Sequence, residues 1–439
     1  MTKMKESGID WIGQIPEEWE VTKFKYLGDV KQGLTYSPSD IVDKDEGILV
    51  LRSGNIQNGV LDFTNNVYVK TKVAESIVLR KNDILITARN GSPALIGKNA
   101  IIDTDIKATF GAFMMVFRTN KSLIAKFAFY LMNISFNFYR TFFTTSTVNQ
   151  LTAAIFNGIE VPLPSISEQQ KIADFLDKKT AQLDKVKSLL EEQIQKLKDY
   201  RASLIYETVT KGLDKTASMK DSGIYWIGQV PGGWGVSKLK FILEKGSNSI
   251  KVGPFGSSLS GDAIRSSGKW VYNQRNVLDN NFTETDFYIS EAKCKELKNF
   301  SVSSGDILLT TRGTIGRVAI VPKKYCEGII HPCLMKFKVD SKIVLPELIK
   351  YLFNDIPLVR EQLNFLSNST TIDVIYSYNL KNIIIPTIPI EEQYSILEVL
   401  DRQTSDVDSL IKIKQKQIEN INKQRQTLIY DYVTGKRRV

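Results

Sequence analysis

The sequence contains few side chains of the kinds that perform catalysis or bind metals. Its one histidine is His331, and its three cysteines are Cys294, Cys326 and Cys333. Their spacing matches no recognised zinc pattern, so we interpret the cysteines as small buried thiols rather than metal ligands. A single histidine, placed in the second half, also leaves no Ser-His-Asp triad for the first half. The residue types therefore predict no metal site and no cofactor in this chain.

Motifs for nucleotide and methyl-donor chemistry are also missing from the sequence. Between Gly91 and Lys98 the spacing is wrong for a phosphate-binding loop, and Asn99 stands where Ser or Thr is required. No glycine fingerprint opens a β-α unit, and no Asn/Asp-Pro-Pro-aromatic tetrapeptide occurs. Asp83 and Asp306 each precede a predicted strand, where turn capping explains them better than nuclease chemistry. We therefore predict a chain that is not itself an enzyme.

Polar side chains suited to reading base edges cluster in short segments between predicted strands. Arginine pairs well with guanine, and asparagine or glutamine with adenine, whereas nearby glycines let the backbone approach a phosphate. Ordinary surface turns are the alternative interpretation of the same segments. The candidates in the first half are Arg52, Ser53, Asn55, Gln57, Arg89, Asn90, Ser92, Lys98, Asn149 and Gln150. Those in the second half are Asn273, Gln274, Arg275, Asn276, Arg312, Thr314, Arg317, Thr370 and Thr371.

The charge distribution favours a polyanionic partner for the same parts of the chain. The 439 residues carry a formal charge of +10. Two Gly- and Pro-poor segments, 168–213 and 391–439, each hold nine basic and eight acidic residues, which leaves +8 elsewhere. The start, MTKMKESGID, lacks the apolar core of a signal peptide, and no apolar run is long enough for a bilayer. We expect a soluble, cytoplasmic protein that binds a nucleic acid.

The elements that must position these residues occur twice, because the sequence contains an internal repeat. Residues 4–25 and 219–240 share the pattern SGIxWIGQ(I/V)P, which is followed in both copies by a tryptophan, Trp19 or Trp234. Asp83 to Arg89 matches Asp306 to Arg312, and 168–210 aligns without a gap on 392–434. In each copy, short apolar runs broken by Gly, Asn and Ser predict strands, and 123–139 and 346–353 predict helices. The repeat predicts two similar mixed α/β domains related by a pseudo-two-fold axis.

Each copy ends in a segment with a seven-residue apolar repeat, which predicts a long helix with a coiled-coil seam. Two such helices in one chain can pack antiparallel, although each helix could instead lie on its own domain. Ser165 or Ser167 is expected to cap the first helix and Gly212 to end it, and Lys436–Arg438 is expected to be a free tail. The predicted seam residues are Leu176, Leu183, Leu190, Leu197, Leu204, Leu400, Val407, Ile421 and Leu428, with Ile172, Val186 and Ile194 as partial partners.

These motifs together resemble the DNA specificity subunit of Type I restriction–modification systems. The resemblance covers both halves and rests on the SGIxWIGQ(I/V)P opening, the Gly253–Leu259 loop, the DILxTxR blocks and the Glu-Gln helix that ends in LIYxxVT. The Gly253–Leu259 loop adds Ser257 and Ser258 to the candidates. It has no counterpart in the first copy, where Lys31–Thr35 stands, so we expect the two domains to read different sequences.

The resemblance implies an α+β chain with a defined division of labour. Two target recognition domains, 1–165 and 214–389, would each read half of a bipartite asymmetric double-stranded DNA site. Spacer helices, 166–213 and 390–439, would form an antiparallel coiled coil. Two modification (adenine methyltransferase) subunits and two restriction (translocase and nuclease) subunits would be the partners, and would bring S-adenosylmethionine, ATP and Mg. The competing classes are a non-catalytic coiled-coil scaffold with an incidental basic surface, and a self-contained nuclease.

Overall fold

The computed structural model describes residues 3–143, 149–246, 249–255, 258–366 and 374–439. The chain divides into two compact units. Unit 1 comprises Met1–Leu190 and Gln415–Val439, and unit 2 comprises Glu191–Lys414. Each unit therefore contains one copy of the repeat together with parts of both long helices.

Unit 1 is built from short strands and three helical segments, to which the end of a later helix is added. Its strands are β1 (Met4–Glu6), β2 (Gln14–Pro16), β3 (Glu20–Lys23), β4 (Gly28–Gln32), β5 (Ile41–Val42), β6 (Ile48–Leu51), β7 (Ile56–Gln57), β8 (Val60–Leu61), β9 (Val67–Val69), β10 (Ile84–Thr87), β11 (Asn99–Ile101), β12 (Ala108–Phe110), β13 (Met114–Thr119) and β14 (Glu160–Leu163). Its helices are α1 (Ala125–Tyr139), α2 (Ala153–Gly158) and the first part of α3 (Ile166–Lys211).

Two four-stranded sheets form the body of unit 1. One is antiparallel, in the order β11-β10-β13-β4, and the other has the order β12-β6-β9-β5 with β12 parallel to β6. All four residues of β10 are buried. Ile84 and Ile86 belong to one apolar cluster and Leu85 to another, because successive side chains point to opposite faces of a strand. An unbroken apolar run is therefore required at this position.

Unit 2 repeats this construction. Its strands are β15 (Met219–Asp221), β16 (Gln229–Pro231), β17 (Gly235–Lys238), β18 (Ile250–Val252), β19 (Lys269–Tyr272), β20 (Tyr288–Ile289), β21 (Ile307–Thr310), β22 (Val318–Ile320), β23 (Gly328–Ile330), β24 (Leu334–Phe337) and β25 (Ile384–Thr387). Its helices are α4 (Gln274–Leu278), α5 (Glu291–Glu296), α6 (Pro346–Asn354), α7 (Leu358–Leu366), α8 (Ser377–Asn382) and the first part of α9 (Ile390–Val433).

The strand order of unit 2 matches that of unit 1. The sheet β18-β24-β21-β22 corresponds to β4-β13-β10-β11, and the sheet β20-β19-β23 again contains one parallel pair, β19 with β23. The hairpins β1-β2 and β15-β16 also correspond. The predicted α+β architecture of two tandem, similar domains is confirmed.

The long helices begin and end where local signals require. The Ser165 hydroxyl accepts a hydrogen bond from the Glu168 amide at 3.3 Å and so caps the start of α3. Gly212 follows the helix with φ of +75°, a conformation that costs glycine little. The nine seam residues named above are all buried or half-buried, whereas Val186 is 46% exposed and differs from the prediction.

Contacts between α3 and α9 are antiparallel in both units. In unit 1, Phe175 packs on Tyr432 with ring centroids 4.5 Å apart, and Asp184 lies 3.5 Å from Arg425. In unit 2, Lys414 Nζ donates to Gln193 Oε1 at 2.6 Å, and Arg201 pairs with Asp408 at 3.1 Å. Residue numbers thus fall along α9 as they rise along α3, which is the antiparallel packing expected for two such helices in one chain.

The alternative, in which each helix lies on its own domain, describes part of the packing. In unit 1 the early α3 residues Ile172 and Leu176 are buried in the domain core, as are Ile429 and Val433 near the end of α9. In unit 2 the core contains residues from the end of α3 and the start of α9 in the same way. Each domain core is therefore completed by residues from both long helices.

The Glu-Gln pair at the start of each long helix joins that helix to its domain. The buried Gln169 accepts the Ile124 amide at 2.8 Å and donates to the carbonyls of Ser122 and Pro164 at 3.1 and 3.0 Å. Glu168 accepts the indole N–H of the buried Trp19 at 3.0 Å. Glu392 and Gln393 make the equivalent bonds in unit 2, which include Trp234 at 2.7 Å. Trp19 and Trp234 are therefore packing residues.

The prediction of a free C-terminal tail is wrong. Lys436 Nζ donates to the Gln14 carbonyl at 2.5 Å, and Arg438 forms an ion pair with Glu168 at 3.0 Å. Gly435, with φ of +71°, lies so close to Pro16 that a Cβ atom there would meet the proline ring at 2.4 Å. The last residues therefore dock on the opening motif of the first copy, because their cations find acceptors that the local sequence does not reveal.

Candidate nucleic-acid interface

The turn after β6 exposes one arginine and buries one asparagine. Asn55 is buried, and its Oδ1 accepts the Arg52 amide at 2.9 Å while its Nδ2 donates to the Asp62 carbonyl at 2.9 Å. These bonds use the groups that a base edge would require, so Asn55 holds the turn in shape. The Arg52 and Gln57 side chains are exposed on the same turn.

The loop after β10 meets the segment that precedes α2. Arg89 is exposed, donates to Gln150 Oε1 at 2.8 Å, and lies over the Phe113 ring at 5.7 Å. Asn149 Nδ2 donates to the Gly91 carbonyl at 3.2 Å. Residues about sixty positions apart in sequence therefore form one surface.

Lys98 connects this loop to the Arg52 turn. Its ammonium donates to the Ser53 carbonyl at 3.2 Å, and burial lowers its pKa from the ordinary value. The Ser53 hydroxyl also lies 3.2 Å from the Thr87 hydroxyl, and Asn90 Oδ1 accepts the Ser92 amide at 3.0 Å. The candidates of the first half thus converge on one face of unit 1.

An apolar cavity of about 620 Å³ lies at the centre of this face. Its walls include Arg52 and Arg89 together with Tyr36 and Phe113, of which Phe113 is 61% exposed. Neither aromatic residue was predicted from the sequence. Their only signal was an aromatic side chain next to a glycine-containing turn, which is too common to select them.

In unit 2 the corresponding turn is the short helix α4. Asn273 caps it by accepting the Arg275 amide at 2.8 Å, and the buried Asn276 donates to the Asn281 and Glu284 carbonyls at 3.1 and 2.9 Å. Asn276 therefore has the same structural task as Asn55. Arg275 is exposed, beside Asp279 at 3.4 Å and Asp286 at 3.3 Å.

The loop after β21 packs on α4 and so reproduces the convergence in unit 1. Gln274 Nε2 donates to the Thr314 carbonyl at 3.4 Å, and Gly313 lies against the same side chain with φ of +69°. Arg312 is exposed beside them. Arg317 is half-buried and donates to the Asn354 carbonyl, so its guanidinium is directed towards α6 rather than to this loop.

Of the remaining candidates of unit 2, the structure describes Ser258. The Ser258 amide donates to the Phe255 carbonyl at 2.8 Å. Ser257, Thr370 and Thr371 lie outside the described residues.

His331, Cys333 and the two strand-opening aspartates, Asp83 and Asp306, make local contacts with neighbouring residues. His331 Nδ1 lies 3.0 Å from Cys333 Sγ, and burial lowers the pKa of the imidazole and raises that of the thiol. Asp83 and Asp306 accept the Arg80 and Ser303 amides at 2.9 Å, the turn capping that we predicted. Within the described ranges no cluster of three or more His, Cys, Asp or Glu is arranged to hold a metal ion.

Among the described residues, no helix combines the length and apolar character needed to cross a membrane.

Comparison with known proteins agrees with this architecture. The family model of the Type I restriction modification DNA specificity domain matches residues 16–198 and again 231–423. The EcoKI specificity subunit of Escherichia coli is 25% identical over 428 residues, which cover 95% of this chain and 89% of that protein. The putative MjaX specificity subunit of Methanocaldococcus jannaschii is 28% identical and covers 98% of this chain and 96% of its own length.

A solved structure shares the fold. A chain from a study of complex assembly and conformational transition in the type I restriction–modification system superimposes with a TM-score of 0.69 at 16% identity, over 96% of this chain and 99% of that one. Two tandem recognition domains with paired long helices define a non-catalytic DNA specificity subunit. The chain belongs to the Type I restriction–modification DNA specificity family, and the scaffold alternative is not favoured.

Proposed function

We propose that the chain reads a bipartite, asymmetric double-stranded DNA site, with segments 1–165 and 214–389 each reading one half. The observation that carries this proposal is the pair of converging loop faces, one in each unit. Each face joins the turn after an apolar strand to the loop after the DILxT strand, yet the side chains differ between the units. Equivalent faces with different side chains are what two different half-sites require.

The proposed contact residues are those predicted from the sequence, without the four whose polar groups the fold already uses. In unit 1 they are Arg52, Ser53, Gln57, Arg89, Asn90, Ser92, Lys98, Asn149 and Gln150, and in unit 2 Ser257, Ser258, Gln274, Arg275, Arg312, Thr314, Thr370 and Thr371. Asn55, Asn273, Asn276 and Arg317 support these faces, since their polar groups are held by neighbouring backbone. Exposed arginines supply base or phosphate contacts, and the glycines beside them allow close approach.

The segments 166–213 and 390–439, which contain α3 and α9, complete the proposal as a spacer between the half-sites. The subunit acts in the cytoplasm with two modification subunits and two restriction subunits. S-adenosylmethionine, ATP and Mg belong to those partners. This division of labour is supported by the family and by an absence of nucleotide and methyl-donor motifs in the sequence.

Arg89→Ala and Arg312→Ala test the assignment of one half-site to each unit. Each substitution should weaken specific binding by the assembled methyltransferase by about 1–3 kcal/mol and relax the sequence preference in one half-site only. Binding to oligonucleotides randomised in one half at a time measures both effects. Arg402→Ala, at an exposed arginine on α9, is the control and should leave affinity unchanged. Unaltered affinity and preference in both test variants would remove these loops from the DNA interface.

A further inference from the structure

An exposed phenylalanine lies on the proposed DNA face of unit 1. Phe113 is 61% exposed and lines the apolar cavity of about 620 Å³ together with Arg52 and Arg89. Leu34 and Ile41 also line this cavity, and Ile41 is 49% exposed. An apolar surface inside an interface with a polyanion needs an apolar group on the partner, because a phosphate there would lose its hydration without gaining a hydrogen bond.

The backbone holds Phe113 beside Arg89. The Phe113 carbonyl accepts the amides of Ala88 and Arg89, each at 3.0 Å, and the Arg89 guanidinium lies over the Phe113 ring at 5.7 Å. The Met114 amide donates to the Gly111 carbonyl at 2.8 Å and closes the turn that carries the ring. The turn therefore presents an apolar ring and a cation side by side.

The equivalent turn of unit 2 has the same backbone but a different side chain. Met114 pairs with the last residue of β10 and Leu334 with the last residue of β21, so the preceding residues, Phe113 and Cys333, are equivalent. The Cys333 carbonyl accepts the Thr311 amide at 2.9 Å, as the Phe113 carbonyl accepts the corresponding amide in unit 1. Cys333 is half-buried. Only the side chain has changed at this position.

The difference between the two units separates two kinds of DNA contact. Arg89 has a counterpart in Arg312, whereas the Phe113 ring is replaced by the Cys333 thiol. A ring that packed on deoxyribose would suit every sequence and would serve both units equally, but a contact that reads a base must differ where the half-sites differ. In the major groove, the apolar group on a base edge is the C5-methyl group of thymine.

We propose that Phe113 reads a thymine in the half-site of unit 1, by packing against the C5-methyl group of that base in the major groove. The inference deepens the proposed function and rests on it. Arg52 and Arg89, which line the same cavity, bind the phosphates or bases next to this thymine. Unit 2 makes no such contact through Cys333.

Replacement of thymine by deoxyuridine tests the proposal, because it removes the methyl group and leaves the base pair intact. The assembled methyltransferase, which contains the full chain, is titrated with duplexes in which each thymine of both half-sites is replaced in turn. One replacement should weaken binding by the wild-type complex about fourfold, the factor for burial of one methyl group. With Phe113→Ala, the thymine and deoxyuridine duplexes should bind equally at that position. Losses caused by deoxyuridine in the other half-site should be unaffected.

Cys333→Ala is the matched control, because Cys333 occupies the same position of the equivalent turn. It should keep the fourfold ratio between the two duplexes. Phe113→Leu, which retains an apolar side chain, should keep part of this ratio, and unchanged melting temperatures identify variants that are folded.

Two results would overturn the inference and leave the proposed function intact. One is a wild-type complex that binds its site specifically but does not distinguish any thymine from deoxyuridine. The other is a folded Phe113→Ala variant that retains the full ratio, even with lower affinity for both duplexes, since the ring would then support Arg89 or contact a sugar. A wild-type complex without sequence-specific binding would overturn the proposed function itself, and with it this inference.

Discussion

At the scale of single residues, amino-acid type alone does not separate side chains that read DNA from those that hold a turn. Asn55 and Asn276 were candidates because asparagine suits adenine, but asparagine is also a strong turn and cap residue. Burial, which depends on the fold, decides between the two tasks. The exposure of the loop arginines was predictable, since a guanidinium on a short loop has few places in the protein where it can be buried.

The strand-opening aspartates show the same limit. The turn capping by these aspartates could be predicted from the sequence, but the basic side chains that pair with them could not. Arg118 on β13 donates two hydrogen bonds of 2.7 Å to Asp83. In unit 2, Lys336 donates to Asp306 at 2.9 Å, but Lys336 occupies a different position of the equivalent strand β24. The bond to Asp83 raises the pKa of Arg118.

Replacement of Arg118 by methionine should destabilise the chain by about 3–5 kcal/mol, because it leaves the buried Asp83 carboxylate without a cation. Urea unfolding followed by circular dichroism measures the change in the free energy of unfolding. Arg80→Met, at a nearby exposed arginine, should cost less than about 1 kcal/mol. Equal stability of the two variants would show that the Arg118 pair contributes nothing.

At the scale of elements, periodic patterns predicted the long helices and the strands well. The seven-residue repeat and the unbroken apolar run at β10 are local properties of the sequence, so they can be recognised without knowledge of the fold. The role of the Glu-Gln pair was not predictable, because Gln169 bonds the Pro164 carbonyl just before α3 and also backbone groups of Ser122 and Ile124, which lie more than forty residues earlier in the sequence. The docked tail was missed for the same reason.

Gln169→Ala should destabilise unit 1 by roughly 2–4 kcal/mol, since it leaves one buried amide and two carbonyls with fewer partners. Gln170→Ala is the matched control, because the neighbouring glutamine is exposed and its side chain donates to Asp174 within α3. It should change stability by less than about 0.5 kcal/mol. Thermal unfolding compares the two, and a Gln169 variant as stable as the control would contradict the joining role.

At the scale of the whole molecule, duplication is the feature that the sequence reveals most fully. Three blocks in the same order predicted two similar domains, and the matching strand orders confirm them. The sequence could not show that each domain core takes residues from both long helices, because those contacts join distant segments. The near-neutral helices also agree with a spacer role, since the excess positive charge lies in the strand-rich parts.

The spacer role is the central claim, and lengthening both helices tests it most directly. Seven residues are inserted after Leu190 in α3 and seven after Lys414 in α9, which preserves the heptad pattern and lengthens the paired helices by about 10 Å. Sequencing of methylated adenines in cells that carry the variant and its modification subunit reads out the site. We predict unchanged half-sites separated by about three additional base pairs, because each base pair lengthens the duplex by about 3.4 Å. An unchanged separation, or altered half-site sequences, would contradict the account.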